Sequence, residues 1–195
     1  MTRVRLALVV VFGLIAEPAS AHDIVPGVGG FAGGVLHALL VPTHVMALLG
    51  LGLLAGRLSN GRLIAEVAFA AALMGGLGAI ALGTGETPAP LVLPGVSALC
   101  GALVAGALPV PSPLVWLMAI VTGVAVGLDS PPDAISIREA YLMMAGVWVG
   151  AVLMLLVIVE GATRLTRPWL LIGLRVLGSW IAASAILVLA LTLSR

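Results

Sequence analysis

The sequence predicts an all-α protein, a polytopic membrane bundle of about six transmembrane helices behind an N-terminal signal peptide. Hydrophobic residues make up 62% of the chain and charged residues 9%, so a water-soluble surface cannot be built. Its apolar runs repeatedly exceed the roughly 18 residues that separate a spanning helix from a buried core helix. They end at short clusters of Pro, Gly, Arg and Asp, too short to hold a soluble domain. The lipid bilayer is therefore the first partner.

The amino terminus carries Arg3 and Arg5, then the apolar run LALVVVFGLIA, then the small residues Ala19-Ser20-Ala21. This is the order of a secretory signal, giving a signal peptide at 1–21 and a single transmembrane domain at 22–195. Cleavage leaves His22 first, where its α-amino and ring nitrogens can hold one cation; the alternative is an exposed histidine with no such role. Without cleavage, residues 6–21 add a helix. Six spans follow, at about 33–56, 62–84, 89–108, 113–129, 136–160 and 168–193. The breaks are Arg57 to Arg62, Gly83 to Pro88, Pro109 to Pro113, Asp129 to Asp133 and Thr163 to Pro168.

Arg57, Arg62, Arg164, Arg167 and Arg175 fall on one side if the helices alternate, and cytoplasmic loops are enriched in arginine. Glu86, Asp129, Asp133 and the mature amino terminus then lie outside, in a bacterial-type inner membrane. The net charge of +1, with no basic block, excludes nucleic acid as a partner. Cys100 is the single cysteine, so neither an internal disulfide nor a multi-thiolate metal site can form within one chain. It reads as a small apolar residue.

His37 and His44 stand inside the first span, where an imidazole is costly unless something nearby satisfies it. On a straight helix, positions seven apart share a face but lie about 10.5 Å apart along the axis. Pro42 lacks an amide proton and should kink the helix near the Ala38 carbonyl. The histidines are then either successive stations on a path or ligands brought towards one site. Imidazole suits nickel, zinc, copper or cobalt, and Thr43 adds a hydroxyl; the alternative is hydrogen bonding to a carbonyl or hydroxyl. Gly29/Gly33, Gly30/Gly34, Gly123/Gly127 and Gly146/Gly150 have the spacing of close helix packing. Those before His37 could instead leave room for water or an ion.

These residues carry a resemblance. The segment from His22 through Gly56 resembles the HupE/UreJ family of small membrane proteins, implicated in nickel and cobalt uptake for hydrogenase and urease. The Ala21-His22 junction, the glycines before His37, and HALLVPTH at 37–44 are similar to the family's signal end and its HPxxGxDH motif. Ala38, Val41 and Thr43 stand where that motif has proline, glycine and aspartate. A later motif, FHGxAHGxE, falls on VTGVAVGLD at 121–129, with Thr122 and Val126 in place of histidines and Asp129 in place of glutamate. A family glutamate after an LPxV stretch falls on Ser97. The resemblance implies transport or binding of Ni2+ or another divalent transition metal, with His22, His37, Thr43, His44 and Asp129 as candidate ligands. No prosthetic group is implied; the family context suggests homo-oligomers or a hydrogenase or urease maturation setting. The lost ligands support an alternative, a non-transporting accessory or assembly protein.

Other polar residues read more simply. Arg62 with Glu66 and Glu160 with Arg164 have helical ion-pair spacing, and Arg175 either snorkels or pairs with Glu160. Arg138 and Glu139 open the fifth span beside Asp129 and Asp133. The methionines have no Met-x-x-Met pairing and read as apolar filler rather than a copper path. The chain does not read as an enzyme, since HExxH, GxSxG and paired intramembrane carboxylates are absent from the sequence. A Ser97–His44 pair would need proximity.

Overall fold

A computed structural model describes residues 28–84, 87–132 and 136–194. The signal segment, the 1–21 boundary and His22 lie outside the described residues, as do Glu86 and Asp133. Among the described residues there are seven helices: α1 Gly30–Leu40, α2 Pro42–Ala55, α3 Arg62–Ala81, α4 Ala89–Gly106, α5 Ser112–Leu128, α6 Ile137–Arg164 and α7 Pro168–Leu193. Each predicted span is helical. α3, α4, α6 and α7 are long and apolar enough to cross a membrane, and α5 is an apolar helix of 17 residues.

The first predicted span differs from expectation. A kinked but continuous helix was expected, and the chain instead forms α1 and α2, bent by 65° at Val41. Val41 is extended (φ −67°, ψ 117°), as the ring of a following proline requires of its neighbour, and Pro42 occupies the first position of α2. The break leaves neither polar group of Val41 unpaired. Its N–H donates to the His37 carbonyl at 3.2 Å, and its carbonyl accepts from Val45 N–H at 3.0 Å. One residue thus closes one helix and opens the next.

Three helix pairs surround α2, and each is joined where glycines let backbones touch. In the α3–α5 pair, a Cβ on Gly127 would stand 2.7 Å from Leu77 N, and one on Gly123 2.5 Å from the Phe69 carbonyl. In the α4–α7 pair the contact is reciprocal: a Cβ on Gly101 would meet the Gly178 carbonyl at 2.7 Å, and one on Gly178 the Gly101 carbonyl at 2.8 Å. In the α1–α6 pair, Gly34 lies on the Met143 backbone and Gly146 on the Phe31 backbone. Gly34 therefore serves packing, not a space beside His37. α2 contacts α1, α4, α5, α6 and α7, and nine of its fourteen residues are buried.

The arginine-bearing ends of the helices come together. Arg62 approaches Glu66 at 3.9 Å, and Arg164 pairs with Glu160 at 2.8 Å. Arg62, Glu66 and Glu160 line one hollow. Among the described residues Arg175 forms no pair with Glu160: its Nε donates to the Ala105 carbonyl at 2.9 Å, near the end of α4, where helix carbonyls lack internal partners. Gly61, at φ 78° before α3, accepts from Trp116 Nε1 at 2.9 Å. Trp169 is exposed at the start of α7, as an interfacial aromatic would be.

The glycine seams make a direct expectation. Gly127→Leu should cost about 1–3 kcal/mol by overpacking and lower the thermal midpoint in detergent. Gly78→Ala, at a position with open space around it, should leave the midpoint unchanged or raise it. Equal effects would refute the seam.

Candidate functional site

The break at Val41 places the two histidines together. His37 lies in the last turn of α1 and His44 in the first turn of α2, and their ring centroids are 5.1 Å apart with planes inclined at 69°. A straight helix would hold them about 10.5 Å apart along its axis. Of the two expectations, successive stations or one locality, the geometry gives the second. Two imidazoles on one tetrahedral ion at about 2.0–2.1 Å also hold their rings about 5 Å apart.

His44 is fully buried and reaches across the bundle. Its Nε2 lies 3.1 Å from Asp129 Oδ2, a residue 85 positions away at the end of α5. Asp129 is held there by its own N–H, which donates to the Ala125 carbonyl at 2.9 Å, and its side chain is 26% exposed. An ionised carboxylate only accepts, so opposite an ionised Asp129 the contact requires the tautomer with its proton on Nε2. The second nitrogen, Nδ1, is buried and has no hydrogen-bond partner among the described residues. In the neutral ring that atom is a bare lone pair.

Thr43 is the second residue of α2 and half-buried; among the described residues no hydrogen bond joins it to His37, His44 or Asp129. Thr122 and Val126 are fully buried on α5, and Thr122 Oγ1 has no partner among the described residues. Asp129, three and seven residues further, lies on the same side of the helix. Ser97 Oγ donates to the Leu93 carbonyl at 2.7 Å, so its proton is committed to its own helix and not to His44. That removes the serine–histidine pair. Asp129 pairs with His44, and among the described residues no ion pair joins it to Arg138.

Two contacts lay outside what spacing could reveal. Cys100 Sγ and Met118 Sδ meet at 3.8 Å between α4 and α5, and Trp148 Nε1 donates to the Ala70 carbonyl at 2.9 Å. Among the described residues, no group of three or more His, Cys, Asp or Glu is arranged to hold a metal ion. A cation at His44 therefore needs water or donors beyond this pair of histidines.

The model of one protein family, described as HupE / UreJ protein, matches residues 9–188 of the chain. No curated protein and no solved structure matches.

The His44–Asp129 contact can be tested without any metal. Nitrogen-resolved imidazole spectra of the purified protein should show His44 protonated on Nε2. Asp129→Ala should shift the ring to a mixture of tautomers; an unaltered His44 signal would rule out the contact.

Proposed function

This chain belongs to the HupE/UreJ family, a family associated with nickel and cobalt transport, and on that premise we propose that it carries a divalent transition-metal ion across the membrane through a site centred on His44. The observation that carries the proposal is the buried Nδ1 of His44, which has no hydrogen-bond partner among the described residues, in an imidazole whose other nitrogen is held by a carboxylate. Metal-bound histidines commonly donate their second N–H to a carboxylate, which fixes the tautomer and raises the basicity of the ligating nitrogen. Asp129 is in this reading a positioning residue and not a ligand. His37, across the break, is the second imidazole. Water, Thr43 and the amino-terminal His22 are the proposed further donors.

The place of the site suits a divalent ion. A doubly charged cation in low dielectric is costly without compensating charge, and Asp129 supplies one negative charge at a partly exposed end of the bundle. We take this end as the outer one and the arginine-bearing end as cytoplasmic, following the bias of arginine towards cytoplasmic loops. The cargo is Ni2+ or a related ion of the imidazole-binding series. A bacterial-type inner membrane, a mature amino terminus outside, self-association and a role in hydrogenase or urease maturation complete the proposal. No prosthetic group is needed for it.

One observation favours a second reading, a non-transporting accessory protein. The described residues offer no cluster of three His, Cys, Asp or Glu donors, and Thr122 and Val126 carry no imidazole. This reading predicts a stable membrane partner and no bound metal after purification.

Uptake of Ni2+ by cells expressing the full chain separates the two. His44→Ala should abolish saturable uptake, and Asp129→Ala should weaken apparent affinity by about 10–100-fold. Asp129→Asn should be milder, because the amide oxygen still accepts from Nε2–H. Accumulation that His37→Ala and His44→Ala both leave intact would overturn the transport site.

A further inference from the structure

The sulfur contact between α4 and α5 is used by neither reading. Cys100 is fully buried and Met118 is 4% exposed, and their sulfurs stand 3.8 Å apart. Two sulfur ligands on one tetrahedral ion at about 2.3 Å are themselves about 3.8 Å apart. The pair thus has the spacing of ligands before any ion is present. A second observation points the same way. Thr122 stands one turn beyond Met118 on α5, about 6 Å along the axis and about 40° around it. Its hydroxyl oxygen is fully buried without a partner among the described residues. A buried hydroxyl without a partner is unfavourable, and an ion beside Met118 would give it one. α2 closes the third side, where a Cβ on Gly50 would meet Cys100 Cβ at 3.0 Å.

We propose that Cys100 Sγ, Met118 Sδ and Thr122 Oγ1 form a buried site for a soft monovalent cation of the Cu(I) class. Thiolate and thioether ligands select such ions over hard ones. Charge decides between valences. The site holds one group able to become an anion, so a monovalent ion on a Cys100 thiolate is neutral overall, whereas a divalent ion leaves a net charge in the bundle core. On binding, the thiol proton is released to water, one sulfur–metal bond replaces the S–H bond, and no electron is transferred. At the arginine-bearing end, Leu54, Leu103 and Val104 line a hollow of about 440 Å³, and Val104 is one turn from Cys100.

The site stands independently of the His44 proposal, and its test reads sulfur ligation instead of uptake. The full chain in detergent, under reductant, is titrated with Cu(I) and with Ag+ as a redox-inert analogue. Thiolate-to-metal absorption, bound metal after desalting and proton release are followed together. Wild type should bind one ion and release one proton. Cys100→Ala should lose both the absorption and that ion. Met118→Leu, which keeps the volume, should weaken binding by about tenfold or more, and Cys100→Ser serves if the alanine variant folds poorly. Gly78→Ala, in open space on α3, should leave all three readouts unchanged. Absence of the absorption in wild type, or full affinity in Met118→Leu, would overturn the proposal and reduce the contact to packing.

Discussion

Close approach of backbones across glycine is the constraint on which the rest of this bundle depends. In lipid the hydrophobic effect does not draw helices together, so packing, hydrogen bonds and the small size of interface residues must do so. Gly101 with Gly178, Gly127 with Leu77, and Gly34 and Gly146 across α1 and α6 bring three helix pairs to backbone contact. The enclosure of α2 in turn buries His44, Leu48 and Leu51 completely. A polar ring in that position needs a fixed partner, and the end of α5 delivers Asp129 to it.

The break between α1 and α2 shows how irregular backbone survives at membrane depth. An amide or carbonyl left unpaired in hydrocarbon costs several kcal/mol. Val41 avoids the cost on both groups, and Pro42 has no amide proton to satisfy. The turn therefore sets the His37 ring against the His44 ring without an unpaired amide at Val41. Imidazole geometry here is a property of a backbone dihedral. A residue at position 42 with an N–H would restore the option of a continuous helix and move the rings apart.

The helices were legible because their ends are chemically marked. Pro, Gly and Arg clusters at 57–62, 109–113 and 163–168 stop apolar runs, and the observed helices end within a few residues of them. The break at Pro42 was half legible, since proline announces a distortion but not whether it becomes a kink or two helices. His37 and His44 were singled out by being ionisable in an apolar run. The pairing of His44 with Asp129 was not a matter of spacing: 85 residues separate them, and only the topology joins α2 to the end of α5. The sulfur contact was hidden for the same reason. Cys100 and Met118 each look like apolar filler until two helices meet. The Arg175 contact with the Ala105 carbonyl was not legible, because a backbone carbonyl, present at every residue, leaves no mark in sequence.

α5 has one further consequence, through its length. Seventeen residues rise about 25 Å, while the hydrocarbon core is about 30 Å thick. Its flank carries exposed Leu117 and Ile120, so the mismatch is not hidden inside the protein. A bilayer thins beside a short span at a modest cost for each ångström. In a bilayer of that thickness, headgroups and water would be drawn inward towards the end of such a helix, where Asp129 sits. Bilayer thickness would then be a variable of the histidine pair's chemistry.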